Sequence, residues 1–326
     1  MQAPQYMKDG VTPTPSDFTD EETNVLNTTP TPKGEAVPES EDDSDVTDEG
    51  ENDDSAPLKV PPGNKYVVFS FIRHGESREN ATGAAPKEND ILTDEGHQQA
   101  ENLAIQWANL RIDALYSSDL NRARDTASKI SKYNRCNPGL TLTKALKEKN
   151  HGHLYTSLKE QGRFAEAKKA RRGGYKGAVP RHYRPEGGES YDDVLDRGLA
   201  ILFRLAKRHG VYLPSVPKEL DAEYQPTGEL FELPENVPHV VLVSHNIFLS
   251  QLYKALSTWN EDRKPILPNS KYDNTGWTRH LIRLGNLRSD HANGPLDREF
   301  HFDIEIKHLR WIELADNASK RNGGVK

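Results

Sequence analysis

Short continuous apolar runs alternate with longer stretches in which apolar residues recur every three or four positions, and the alternation begins only after about residue 63. Tyr66–Ile72 (YVVFSFI) is the first run, the pattern of a strand covered on both faces. LTDEGHQQAENLAIQWANL (92–110) then has helical period, with Thr93 as N-cap, Asp94 and Glu95 in the first turn, and Ala100, Leu103, Ala104, Trp107 and Leu110 on one face. IDALYSS (112–118) predicts a second strand, 120–133 a helix, and 140–146 another short strand. In SYDDVLDRGLAILFRLAKRHG (190–210) Ser190 caps a helix, Asp193 takes the reciprocal N3 position, and Gly210 follows its end. HVVLVSHN (239–246) is a further strand, 247–256 a helix, and the segments 280–284 and 300–314 alternate like paired strands. Strands alternating with helices predict an α/β fold, a three-layer α/β/α sandwich around a largely parallel sheet.

Charge divides the chain more sharply than hydropathy. Residues 1–57 hold sixteen Asp and Glu against Lys8 and Lys33, a net charge of −14; the whole chain is −7, so residues 58–326 carry the balance of +7. The acidic stretch is dense in Thr-Pro, Ser, Glu and Asp and poor in branched apolar residues, so burial cannot offset its ordering entropy. The expected organisation is a disordered acidic tail over 1–62, a catalytic domain over 63–316, and a disordered end at 317–326. Two insertions interrupt the domain. Residues 155–184 hold nine Lys and Arg against two Glu, and residues 211–238 form a Pro-rich acidic surface excursion. No repeat is evident. The opening residues lack the apolar core of a secretory signal and the Arg-rich character of a transit peptide, and no apolar run approaches a membrane span. A single cysteine, Cys136, excludes an intramolecular disulfide, and a cytoplasmic or nuclear location is expected.

Chemistry enters where the strands stop. The first ends in Arg73-His74, the strand at 239–244 ends at His245, the second is followed by Arg122, and the third by Glu148. In a parallel sheet these ends share one edge, where open α/β sheets place their ligands. Two arginines, two histidines and a carboxylate suit phosphoryl transfer. Planar guanidinium groups match phosphate oxygens bidentately, and neutral imidazole is a nucleophile near physiological pH. A carboxylic acid can protonate the leaving oxygen and later activate water. Gly75 permits close backbone approach, and a helix starting near Glu76–Asn80 is expected to aim backbone amides at the phosphate.

Five blocks in this order, RHGES (73–77), LTDEGHQQA (92–100), SSDLNRARDTA (117–127), LKEKNHG (146–152) with PEGGES (185–190), and VSHN (243–246), resemble the histidine phosphatase superfamily, also called phosphoglycerate-mutase-like. The resemblance implies that family's fold over most of 60–315. It implies His74 as phosphoacceptor, a phosphate pocket of Arg73, Asn80, Arg122 and His245, and Glu148 as proton donor. No metal and no cofactor are implied, and the pair His151 and His153 lacks a third ligand of clear spacing. Ser118 and Asn246 fall in matching motifs without a required substrate contact. Three positions depart from the pattern: Lys149 and His151 stand where the mutase branch carries Arg and Tyr, and Asn246 replaces a glycine.

The expected activity is metal-independent phosphomonoester hydrolysis through phospho-His74. A phosphoglycerate-type mutase and a catalytically silent interaction protein on the same fold stay open as alternatives. The basic segment 155–184, with Tyr155, Phe164, Tyr175 and Tyr183 interleaved, reads as a cap that draws in anionic phosphoesters. A phosphorylated small molecule is therefore the expected partner, rather than nucleic acid or a membrane. Thr12, Thr14, Thr29 and Thr31 precede proline, and Ser40 and Ser44 sit among acids, which makes kinases further expected partners of the tail.

Overall fold

A computed structural model describes residues 63–82, 90–259, 271–285 and 304–310. The acidic segment 1–62, with the kinase sites expected there, and residues 317–326 lie outside the described residues. Seven strands form one sheet: β1 (Lys65–Arg73), β2 (Ala114–Ser118), β3 (Leu140–Thr143), β4 (Val211–Tyr212), β5 (His239–Ser244), β6 (Trp277–Leu284) and β7 (Ile304–Arg310). Their order is β3-β2-β5-β1-β6-β7, with β4 paired to the start of β1. The pairs β3/β2, β2/β5 and β5/β1 are parallel, and β6 runs antiparallel to both neighbours. Five strands therefore share one direction.

Helices lie on both faces: α1 (Arg78–Thr82), α2 (Asp94–Gln106), α3 (Asn121–Tyr133), α4 (His153–Glu160), α5 (Phe164–Ala170), α6 (Tyr191–His209) and α7 (Asn246–Ser257). The two-residue side-chain period of β1 shows how the layers form. Val67, Phe69 and Phe71 point into a core with Leu199, Leu202 and Phe203 of α6 and Phe248, Leu249 and Leu252 of α7. On the other face Ile72 joins Leu103, Ala104, Trp107, Ala123, Ala127 and Ile130 of α2, α3 and their flanks. Tyr66 and Val68, nearer the start of the strand, meet Leu220 and Val237 of the segment 211–238. Buried Arg279 pins that segment further by donating to the carbonyls of Leu230 (2.7 Å) and Glu232 (3.0 Å). The excursion thus packs on the sheet both through the Tyr66 and Val68 cluster and through Leu230 and Leu233 against the cluster that holds Ile72.

Local signals hold where they are strongest. Thr93 Oγ1 accepts from Gly96 N (3.0 Å), and Ser190 and Asp193 form the reciprocal capping box of α6. Among the described residues no helix is long and apolar enough to cross a membrane.

Several histidines sit inside this core as neutral groups. His239 donates from Nδ1 to Arg111 O (2.6 Å) and meets Ser70 Oγ (2.8 Å), and burial lowers its pKa to about 3. His308 is lowered to about 4 by the same cause. Because an unfolded imidazole titrates near ~6.5, the unfolded chain takes protons first as the pH falls. Stability is therefore full above that value and declines below it. We expect urea midpoints to hold steady above neutrality and to fall between about pH 6.5 and 5, before carboxylates titrate; a flat profile over that window contradicts the buried neutral histidines.

Candidate active site

The register of the parallel sheet brings the two strand-end histidines together. Arg73 of β1 lies beside Ser244 of β5, so His74 and His245 emerge next to each other, with ring centroids 5.1 Å apart. Ser117 pairs with Val243, which carries Ser118 to the same edge, and Ser118 Oγ meets His245 Nε2 at 2.9 Å. Thr143 pairs with Ser118, and a 3-10 turn over Lys144–Leu146 then leads to Glu148. Arg122 comes from the first turn of α3, immediately after β2. The sequence-predicted residues Arg73, His74, Arg122, Glu148 and His245 therefore share one edge, and Asn80 joins them from α1.

His74 is fixed in one tautomer. Its Nδ1 lies 2.6 Å from Gly75 O, and a carbonyl can only accept, so Nδ1 carries the proton and Nε2 keeps its lone pair. Arg122 Nε approaches that Nε2 at 3.3 Å. Burial first, then Arg122 and Arg73, hold the His74 pKa well below its ordinary value. The same causes lower His245. His74 is thus a neutral imidazole whose Nε2 lone pair accepts from Arg122 Nε.

The buried donors around it are incompletely satisfied. Arg73 donates from Nη1 to Tyr272 O (2.8 Å) and from Nη2 to Asn80 Oδ1 (3.2 Å), but its Nε has no partner. Arg122 Nη1 and His245 Nδ1 are likewise buried without a hydrogen bond. Three buried nitrogens of three site residues without a hydrogen bond, beside an imidazole nitrogen held only by Arg122 Nε, leave room for an oxyanion to satisfy them. Neither a solvated face nor a satisfied core histidine would leave them so.

Glu148 is held differently. Its Oε1 accepts from Lys149 N (2.9 Å) and Phe248 N (3.0 Å), and Oε2 accepts from Ile247 N (3.0 Å). The amides at the start of α7 favour the carboxylate, but burial outweighs them and raises its pKa above the usual carboxyl value. Oε2, with a single donor, keeps a position for a proton.

One expectation fails here. Backbone amides of the RHGES turn do not face a phosphate, because each already has an acceptor. His74 N donates to Ser244 O, Gly75 N to Thr126 Oγ1, Glu76 N to Gln99 Oε1, Ser77 N to Asn80 Oδ1, Arg78 N to Ile91 O and Glu79 N to Asp90 Oδ1. The cradle is made of side chains. The turn is instead packed tightly against α2. A Cβ on Gly96 would sit 1.9 Å from Glu76 O, and one on Gly75 2.5 Å from Gly96 O, so both positions require glycine.

Ser118 and Asn246 act as supports: Ser118 meets His245, and Asn246 Oδ1 accepts from Tyr272 N (2.9 Å). Glu189 binds Arg197 and the amide of Asn150, which agrees with a structural role. Sequence reading missed Asp90, Thr126 and Tyr272, all in direct contact with site residues or their backbone. Asp90 stands just ahead of the Leu92-Thr93 block, the one sequence signal that could have exposed it. Among the described residues no group of three His, Cys, Asp or Glu is placed to hold a metal ion.

The cap supplies a second feature. Lys149, His151, Arg171, Arg172, Tyr183 and Tyr191 line one pocket, adjoining Glu148 through Lys149. Burial first, then Lys149, Arg171 and Lys159, lower His151 to about 3.

Comparison with known proteins places this geometry. Residues 69–212 match the Histidine phosphatase superfamily (branch 1). The chain is 31% identical over 266 residues to fructose-2,6-bisphosphatase TIGAR B of Danio rerio, covering 74% of this chain and 98% of that protein. This chain belongs to the histidine phosphatase superfamily. It is also 36% identical over 148 residues to the metal-independent phosphoserine phosphatase of Arabidopsis thaliana (45% of this chain, 61% of that protein). To phosphoglycerate mutase-like protein 4 of the same plant it is 33% identical over 150 residues (44% and 62%). The chain thus spans about three-fifths of these two superfamily relatives.

Proposed function

We propose that this protein hydrolyses phosphomonoesters through a phosphohistidine formed on His74 Nε2. The observation that carries the reading is the trio of buried nitrogens without a hydrogen bond, Arg73 Nε, Arg122 Nη1 and His245 Nδ1 (a donor when Nε2 accepts from Ser118 Oγ), beside a histidine whose tautomer is fixed by Gly75 O and whose Nε2 faces Arg122. A phosphoryl group's equatorial oxygens would accept from those donors, where developing charge is best stabilised. In the first step Nε2 attacks phosphorus, the bond from phosphorus to the leaving oxygen breaks, and the proton on Glu148 passes to that oxygen. The imidazole then carries a phosphoryl group on Nε2 and a proton on Nδ1, and Gly75 O stabilises its positive charge. In the second step water attacks phosphorus, Glu148 takes its proton, and neutral His74 leaves. The raised pKa of Glu148 fits a group that must start protonated.

The cap pocket sets the substrate class. Lys149, Arg171 and Arg172 gather three cations in that pocket, and Lys149 follows Glu148 directly in the chain. The substrate read from this is a small phosphomonoester with a second anionic group. The relatives named for phosphoserine and fructose 2,6-bisphosphate support the same class, since both compounds carry one. A mutase is disfavoured because Lys149 and His151 occupy the positions expected to bear Arg and Tyr.

Purified wild type is expected to hydrolyse aryl phosphate in the presence of chelator, with His74→Ala lowering the rate by ~10⁴-fold or more. Glu148→Gln is expected to cost about 10²-fold on an alkyl phosphoester, whose leaving oxygen needs the proton, and far less on nitrophenyl phosphate. Equal activity of wild type and His74→Ala would remove the reading. Arg171→Ala should raise KM about tenfold for a substrate with a second anionic group and leave aryl phosphate unchanged, a charge contact being worth ~1.5–3 kcal/mol. An equal effect on both substrates would place Arg171 outside substrate recognition.

A further inference from the structure

Asp90 is a buried carboxylate that the mechanism above does not use. It stands before α2, where Arg78 N donates to Ile91 O (3.1 Å) and Ser77 pairs with Leu92, so its backbone is tied to the segment after His74. Its Oδ1 accepts from Glu79 N (3.2 Å), and its Oδ2, without a hydrogen bond, faces Arg122 Nη1 at 3.8 Å. Both side chains are about 95% buried, and among the described residues no closer carboxylate reaches Arg122. A separation of 3.8 Å is a Coulombic contact rather than a hydrogen bond. At that depth it biases where the guanidinium rests. Arg122 in turn places Nε 3.3 Å from His74 Nε2.

From these contacts, and resting on the phosphohydrolase reading, we infer that Asp90 is a positioning residue that holds Arg122 against the nucleophile and ties it to the segment carrying Asn80. One oxygen caps the amide of Glu79, next to Asn80, which receives Arg73. The other draws the outer edge of Arg122 away from the imidazole and fixes the angle of the guanidinium. The link reaches the cap as well, because Glu79 Oε1 binds buried Lys159 of α4 at 3.0 Å. Asp90 thus joins α1 to α3, and the carboxylate of Glu79 carries the link on to the cap. Its charge has a second effect. It opposes an incoming dianion a few ångströms away, so Asp90 improves the geometry of the transition state while weakening ground-state binding of phosphate.

That opposition gives the test a distinctive sign. Asp90→Asn keeps the size and the acceptor for Glu79 N but loses the charge that faces Arg122. In an active wild-type background its kcat on aryl phosphate should fall about tenfold, less than the 10²–10³-fold loss of a direct oxyanion donor. The inhibition constant of inorganic phosphate should fall severalfold, and Asp90→Glu, which retains the charge, should recover most of kcat. A weaker phosphate affinity with a lowered melting temperature would overturn the inference in favour of a structural role, and unchanged kcat would overturn it outright. If wild type itself proves inactive, the phosphohydrolase reading fails separately. Calorimetric binding of orthovanadate then still decides for Asp90: tighter binding by Asp90→Asn supports the placement, and equal binding refutes it.

Discussion

Two guanidinium groups, Arg73 and Arg122, lie buried beside a neutral imidazole, and the rest of the site follows from the cost of keeping them there. Removing an ion from water costs several kcal/mol even after relaxation, and burial lowers the Arg73 pKa despite nearby Glu148 and Asp273. The protein meets part of that cost with Tyr272 O, Asn80 Oδ1 and the distant charge of Asp90. It leaves Arg73 Nε and Arg122 Nη1 unsatisfied. Burial, reinforced by the same two cations, keeps His74 unprotonated. Affinity for an oxyanion and nucleophilicity of the imidazole are therefore one electrostatic arrangement seen from two sides.

The parallel half of the sheet makes that arrangement rigid. Because Arg73 is in register with Ser244, and Ser118 with Thr143, four loops open at one edge with no freedom to slide past one another. A one-residue slip of β1 against β5 would separate His74 from His245 and drive Phe69 out of its core. The close approach of Gly75 and Gly96 adds a second restraint, since α2 rests on the backbone of the RHGES turn. Catalytic geometry is thus set by elements that also build the core, while the cap holds its own small cluster of Tyr155, Leu158 and Ala167. Specificity can vary in the cap without disturbing the phosphate pocket.

Much of this was legible in the residues. Continuous apolar runs marked β1, β2 and β5, Thr93 and Ser190 announced α2 and α6, and the parallel topology placed Arg73, Arg122, Glu148 and His245 on one edge before any coordinates. What the sequence hid was hydrogen-bond allocation. A glycine after a histidine suggests amides open to a ligand, yet Thr126, Gln99, Asn80 and Asp90 claim those amides from elements 3 to 51 residues away. Asp90 offers only its place ahead of the Leu92-Thr93 block, because its role exists only once α3 has brought Arg122 within reach. The Tyr272 carbonyl is equally silent in sequence, as every residue carries one.

The central claim is that the phosphoryl group passes through His74 Nε2. Rapid mixing with a labelled phosphoester, quenching in base on the millisecond scale, and mapping of the labelled peptide test it most directly, because phosphohistidine survives base. The account predicts label on the peptide containing His74, formed no slower than turnover and absent from His74→Ala. Turnover in which no quench time yields label on that peptide would contradict it and point to direct attack by water.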